Sequence, residues 1–267
     1  MPEKILDSPL HGNVYGSRVA NSEPVLIAAD DPIATAATAA VKSGDLDALD
    51  RLLDAHPELA SARIGDNDCS RTLLHAATDW PGHFPNGPAV VSRLVAAGAD
   101  VNARWVGQPA PETPLHWAAS SNDVAVLDAL LDTGADIEAP GAVLGGGSPL
   151  ADACGFGNWD AAHRLVERGA RTRLKDAAAL GLLDRVEAAF DSPAPPARDE
   201  ITSAFWSACH GGQRQTGHYL LERGADINWV GWDNKTPLDA AVDNRSFDLV
   251  RWLRTRGAKS STELSCS

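Results

Sequence analysis

The chain has 267 residues, of which 44% are apolar and 22% charged; these are ordinary globular values, and they exclude a collagen-like, coiled-coil or wholly disordered chain. No stretch approaches the ~20 apolar residues of a membrane-spanning helix, and the N-terminal MPEKILDSPLHGN lacks the basic start and apolar core of a secretory signal. With 23 basic and 36 acidic residues the net charge is -13, which argues against a nucleic-acid partner and suits a basic protein or a neutral small molecule.

In chain order, residues 1–32 differ from the rest of the chain and are expected to form an arm or cap, with Val25, Leu26 and Ile27 partly buried. A repeat then runs over 33–260. The helical stretch TAATAAVKSGDLDALDRLLDAHPEL starts at Thr35. TLLHAAT starts at Thr72 and ends in RLVAAGADVNAR, with an insertion over 81–88. TPLHWAASSNDVAVLDALLDTGADIEA starts at Thr113, and SPLADACGFGNWDAAHRLVERGA at Ser148. A degenerate copy near 171–192 contains LKDAAALGLLDRVEAAF. SAFWSACHGGQRQTGHYLLERGADIN starts at Ser203, and TPLDAAVDNRSFDLVRWLRTRGA at Thr236. The spacing is about 33 residues once insertions are allowed. The tail, 261–267, is expected to fray.

One unit explains itself physically. Thr113 or Ser148 caps a helix whose first turn accepts proline. Leu115, Ala118 and Ala119 make a short helix with a small-residue side, which lets a neighbour approach closely. Val124, Leu127, Leu130 and Leu131 give a second, amphipathic helix, and Gly134 stops it. A single unit cannot bury its apolar face, so the units must stack.

The TPLH phrase, the paired leucines and the GAD(V/I)N turn resemble the ankyrin repeat family. The resemblance implies an all-α fold: an α-solenoid of about seven stacked helix pairs with short β-hairpin fingers. It also implies a protein-binding role without catalysis, and neither a cofactor nor a metal is expected. The scattered Cys69, Cys154, Cys209 and Cys266 form no CxxC pair and suit a reducing, cytoplasmic setting. Cys154 and Cys209 fall in the small-residue slot between helices. His75 and His116 are expected to hold the turn of their phrase. The Gly-rich stretch 141–148 reads as a mobile finger loop, and the Pro-rich DSPAPPARDEI after Phe190 as a bend or break in the stack.

Mapped through the resemblance, the concave face carries Asp79, Trp80, Trp117, Ser120, Asp152, Gly155, Ser207, His210 and Asp243, with Trp206 and Asp239 in the histidine slot. Trp105, Trp229 and Trp232 lie in fingers. Trp80, His83 and Phe84 belong to an insertion that could form a lid. Tryptophan beside acid suits a cationic or amphipathic protein partner. Trp206 has a second reading, in which it fills the space of the missing histidine. Two further functions stay open. One is a small-molecule isomerase, cyclase or hydrolase, with Asp152 and His210 as acid and base and Trp80, Trp117 and Trp206 as pocket walls. The other is a regulator that blocks a basic protein by charge.

Overall fold

The computed structural model describes residues 24–108 and 110–265. Of the arm expected over 1–32, residues 1–23 lie outside the described residues, as do 266–267 of the tail.

Among the described residues, seven helix pairs succeed one another: α1 (Pro32–Ser43) with α2 (Leu46–Ala55), α3 (Leu73–Thr78) with α4 (Gly87–Ala96), α5 (Pro114–Ser120) with α6 (Val124–Asp132), α7 (Pro149–Phe156) with α8 (Trp159–Glu167), α9 (Leu174–Ala179) with α10 (Leu183–Phe190), α11 (Arg198–His210) with α12 (Arg214–Glu222), and α13 (Pro237–Asp243) with α14 (Phe247–Arg254). A last short helix, α15 (Ser261–Ser265), forms where the sequence suggested a frayed tail. The odd-numbered helices pack in series to make the inner layer, and the even-numbered helices form the outer layer.

The phrase TxxH folds the way its chemistry dictates. Thr72 and Thr113 cap α3 and α5. The hydroxyl of each lies 2.9 Å from Nδ1 of His75 or His116. The opposite ring nitrogen, Nε2, reaches a carbonyl in the next finger: Glu112 at 3.2 Å for His75 and Gly147 at 3.4 Å for His116. Both rings are fully buried. Burial depresses the pKa to about 3 for His75 and about 4 for His116, so both are neutral staples.

The GAD turns are equally regular. Asp100, Asp136 and Asp226 each accept the amide two residues on, at 2.9 Å. The side chain at that second position, Asn102, Glu138 or Asn228, accepts an amide from the next unit at 2.7–2.8 Å. Most fingers are therefore turns rather than the hairpins the resemblance implies. The strands are confined to β1 (Leu26–Ile27), β2 (Arg63–Gly65) and β3 (Ser70–Arg71) among the described residues; β1 is parallel to β2 and β3 antiparallel to it. Leu26 and Val25 are exposed, and the arm is held by strand pairing together with Ile27.

The core divides in two. One cluster runs from Ala34 to the α7–α8 unit and Leu180, and the other from Ala177 through Phe205 to Ala258. The division falls at α9, whose Ala177 and Ala178 join the second cluster while Leu180, just past its end, joins the first. The Pro-rich segment, expected to break the stack, does not: α11 packs closely on α9 across it. Gly211 permits the approach, since a Cβ there would lie 1.9 Å from the Ala179 carbonyl oxygen. Gly211→Ala is expected to cost about 1–3 kcal/mol through forced backbone separation, read as a lower midpoint in urea unfolding. An unchanged midpoint would show that the contact has slack.

Candidate functional site

The aromatic residues form two clusters on the inner side. The first surrounds a cleft of about 210 Å³ lined by Thr78, Asp79, Trp80, Glu112, Trp117, Ser120, Ser121, Val143 and Phe156. The repeat grammar explains its framework. Trp117 comes four residues after its capping residue Thr113, and Asp152 four after Ser148, so adjacent inner helices present them at the same position. Trp117 packs edge-on against His75 at 5.0 Å and against the finger residue Trp105 at 6.0 Å. Its indole nitrogen donates to Glu112 Oε2 at 3.1 Å. Trp80 stands at the cleft edge, 79% exposed.

Glu112 and Asp152 are both buried and lie within hydrogen-bonding reach of each other. The Leu144 amide donates to Asp152 Oδ1 at 3.3 Å, while Oδ2 receives no donor hydrogen bond from the described residues. Ser120 Oγ, in the cleft wall, is likewise without a partner among them. Burial first, and the Glu112 charge second, push the Asp152 carboxyl up to about 8. Burial also raises Glu112. Two carboxyls this close cannot both ionise cheaply, so at neutral pH they hold a proton between them. The Gly-rich stretch, expected to be a mobile loop, closes on itself through Gly141 and Ala142 amides donating to the Gly147 carbonyl at 3.0 and 2.9 Å, and so delivers Val143 and Leu144 to this pair.

The second cluster gathers Trp206, His210, Trp229 and Trp232. Trp206 stacks on His210 at 5.3 Å, and Trp159 meets that ring edge-on at 5.3 Å. Trp232 contacts Trp206 at 4.9 Å and Trp229 at 5.5 Å, and the Lys175 ammonium lies 5.5 Å from the Trp232 ring. Trp206 is buried and donates to the Lys235 carbonyl at 2.9 Å, so it fills the histidine slot as a bolt between units. Burial lowers the His210 pKa.

No hydrogen bond or ion pair joins Asp152 to His210 among the described residues: Asp152 lies beside Glu112, and His210 stacks on Trp206 with its ring near Gly157 at the end of α7. Several of the acids expected on the concave face are already engaged. Asp79 binds Lys42 at 2.8 Å and Arg71 at 2.9 Å. Asp239 accepts from the Thr236 amide at 3.0 Å and from the Ser261 amide at 2.8 Å, capping α13 and α15 together. Asp243 pairs with Lys235 at 2.9 Å. Of the insertion, His83 is tied by its amide to Asp123 at 2.6 Å, and Phe84 lies under the Lys42 ammonium. Sequence reasoning missed Glu112, Val143 and Phe156, none of which lies in the repeated phrase at a groove position.

Among the described residues no group of three or more His, Cys, Asp or Glu side chains is placed to hold a metal ion. No helix among them is long and apolar enough to cross a membrane. Cys154 and Cys209 are buried, as their small-residue slot requires.

Comparison with known proteins agrees with this architecture. A 108-residue stretch, 40% of this chain, is 34% identical to the palmitoyltransferase AKR1 of Kluyveromyces lactis, and spans 13% of that protein. Residues 85–176 match the family described as ankyrin repeats (3 copies). Residues 85–176 thus carry ankyrin repeats, and the stack of helix pairs over the described residues is an all-α repeat solenoid.

Proposed function

We propose that this chain is a protein-binding scaffold or regulator that receives a basic cytoplasmic partner on its acidic, tryptophan-bearing concave surface. The observation that carries the reading is the first cleft: an exposed Trp80 beside Trp117, over a buried acid that no cation among the described residues neutralises. Tryptophan is enriched among residues that dominate binding energy. The net charge of -13 attracts a basic partner at a distance. A stack of capped, stapled helix pairs presents this surface with little ordering cost on association. The likeness to a palmitoyltransferase covers too small a share of that protein to support acyl transfer here.

The test is capture of a partner by the whole chain, with the partner identified by mass spectrometry, beside a Trp80→Ala/Trp117→Ala variant. The variant is expected to weaken capture at least tenfold, on the order of one hot-spot residue, with its far-UV circular dichroism unchanged. Full retention of binding would remove this cleft from the interface.

A further inference from the structure

We propose that Glu112, backed by the fully buried Asp152 and sharing its cleft with Trp80, Trp117 and Phe156, is a receptor for a single organic cation: the alkylammonium or guanidinium head of a lysine or arginine side chain. The proposal rests on the protein-binding reading above and names the chemistry the partner must bring.

Four features converge on it. First, both carboxyls are buried, and neither has an ion-pair partner among the described residues. A buried acid in that position is costly unless it is protonated or a cation arrives. Second, Asp152, fully buried, leaves Oδ2 without a donor hydrogen bond, and Ser120 Oγ in the cleft wall is also unused among the described residues. An ammonium brings three donors and a guanidinium five, enough to serve Glu112 and Ser120, which line the cleft, while the cation's charge also offsets the buried Asp152 behind Glu112. Third, the walls are aromatic. Indole faces attract cations, and they also cover the apolar stem behind the charged head. Fourth, the competing charges of the cleft are accounted for. Asp79 at its edge is held by Lys42 and Arg71, so it adds no free negative charge there. His75 and His116 behind the walls are neutral staples.

A bare metal ion fits this donor set poorly. Two carboxyls and a hydroxyl under three aromatic rings offer too few oxygens for a hard divalent cation, whereas an organic cation uses the rings as well. Binding exchanges the proton shared by the pair for the incoming charge.

The experiment titrates the full chain with N-acetyl-lysine methylamide, with its neutral isostere N-acetyl-norleucine methylamide, and with n-butylammonium, monitored by tryptophan fluorescence and heat. The lysine probe should bind at least tenfold more tightly than the norleucine probe. Glu112→Gln should weaken it about tenfold or more, and Trp80→Ala, at an exposed wall position, about threefold or more. Equal binding of the charged and neutral probes to the unaltered chain overturns the proposal whether or not the variants fold. So does full affinity in a folded Glu112→Gln chain. Butylammonium then separates the sources of the cation. If it displaces a captured protein, the head group comes from that partner's side chain. If it binds while no protein is ever captured, the cation receptor stands, its source is a free amine, and the scaffold reading fails. Capture of a protein that survives saturating butylammonium and Glu112→Gln leaves the scaffold standing and removes the cation receptor.

Discussion

Phe205→Ala is expected to cost about 3–5 kcal/mol and to unfold the C-terminal units ahead of the rest. Phe205 lies on α11, is wholly buried and is the largest such side chain among the described residues. Its ring edge lies against Gly217 of α12, a position with no side chain to swing into the void. The second core cluster holds Phe205 together with Ala177, Val186, Leu220, Leu238, Leu249 and Leu253, and is distinct from the first, with the half-buried Leu182 packed against both. In a stack whose stability is a sum of units and their interfaces, damage on one side of a weak junction spreads to that side first. Tryptophans sit on both sides: Trp80, Trp105 and Trp117 before the junction, Trp206, Trp229, Trp232 and Trp252 after it. Urea unfolding of the variant should therefore show two fluorescence steps. Hydrogen exchange should place the early one in α9 to α14. One cooperative step with uniform exchange would show that the two clusters melt as one body.

Stability should peak near pH 6.5 and decline on both sides, with the alkaline decline belonging to Asp152. In the unfolded chain Asp152 ionises near pH 4; in the fold it keeps its proton up to about pH 8 because burial and Glu112 oppose the charge. Across that window the folded state holds more protons than the unfolded state, so each rise in pH favours unfolding, by up to about 1.4 kcal/mol per pH unit. The buried histidines have the opposite sign. Their folded pKa values, about 3 for His75 and about 4 for His116, lie below the unfolded value near 6.5. Their contribution is complete above that value and is lost as pH falls through the window; with His210, which burial also lowers, they outweigh the raised Asp152 and Glu112 carboxyls on the acid side. Asp152→Asn removes the ionisable group and offers an amide donor to Glu112. Its melting temperature should stay nearly level from pH 6.5 to 8.5 while its acid limb stays steep. A decline equal to that of the parent chain over the same range would move the effect elsewhere.

The sequence made the repeat legible because the same physical problem, capping a short helix and covering its neighbour, is solved with the same letters each time. Trp117 and Asp152 could be placed on one face for that reason. The partners that define their chemistry could not. Glu112 precedes the cap of α5, in a finger whose path no periodicity predicts, and only the folded chain shows it beneath Trp117 and beside Asp152. Asp79 was legible as a groove acid, but its neutralisation by Lys42, 37 residues earlier, depends on how two units stack. Asp239 carried a readable signal: Thr236 with an acid three residues later is a capping box, which is a structural use of that carboxylate. The Pro-rich segment misled because proline reports local backbone limits, whereas continuity of the stack was decided by the glycine and alanine contacts of α9 with α11.

Asp239 Oδ2 has a further effect on how the molecule ends. One oxygen accepts the amide of Thr236, the residue that caps α13, and the first amide of α15, while Arg254 holds Glu263 at 2.6 Å on the next turn. Two helix starts therefore share a single anchor. They cannot loosen one at a time by losing it, and a lone substitution at this carboxylate registers as a double lesion, unfastening the final pair and the closing turn in the same stroke.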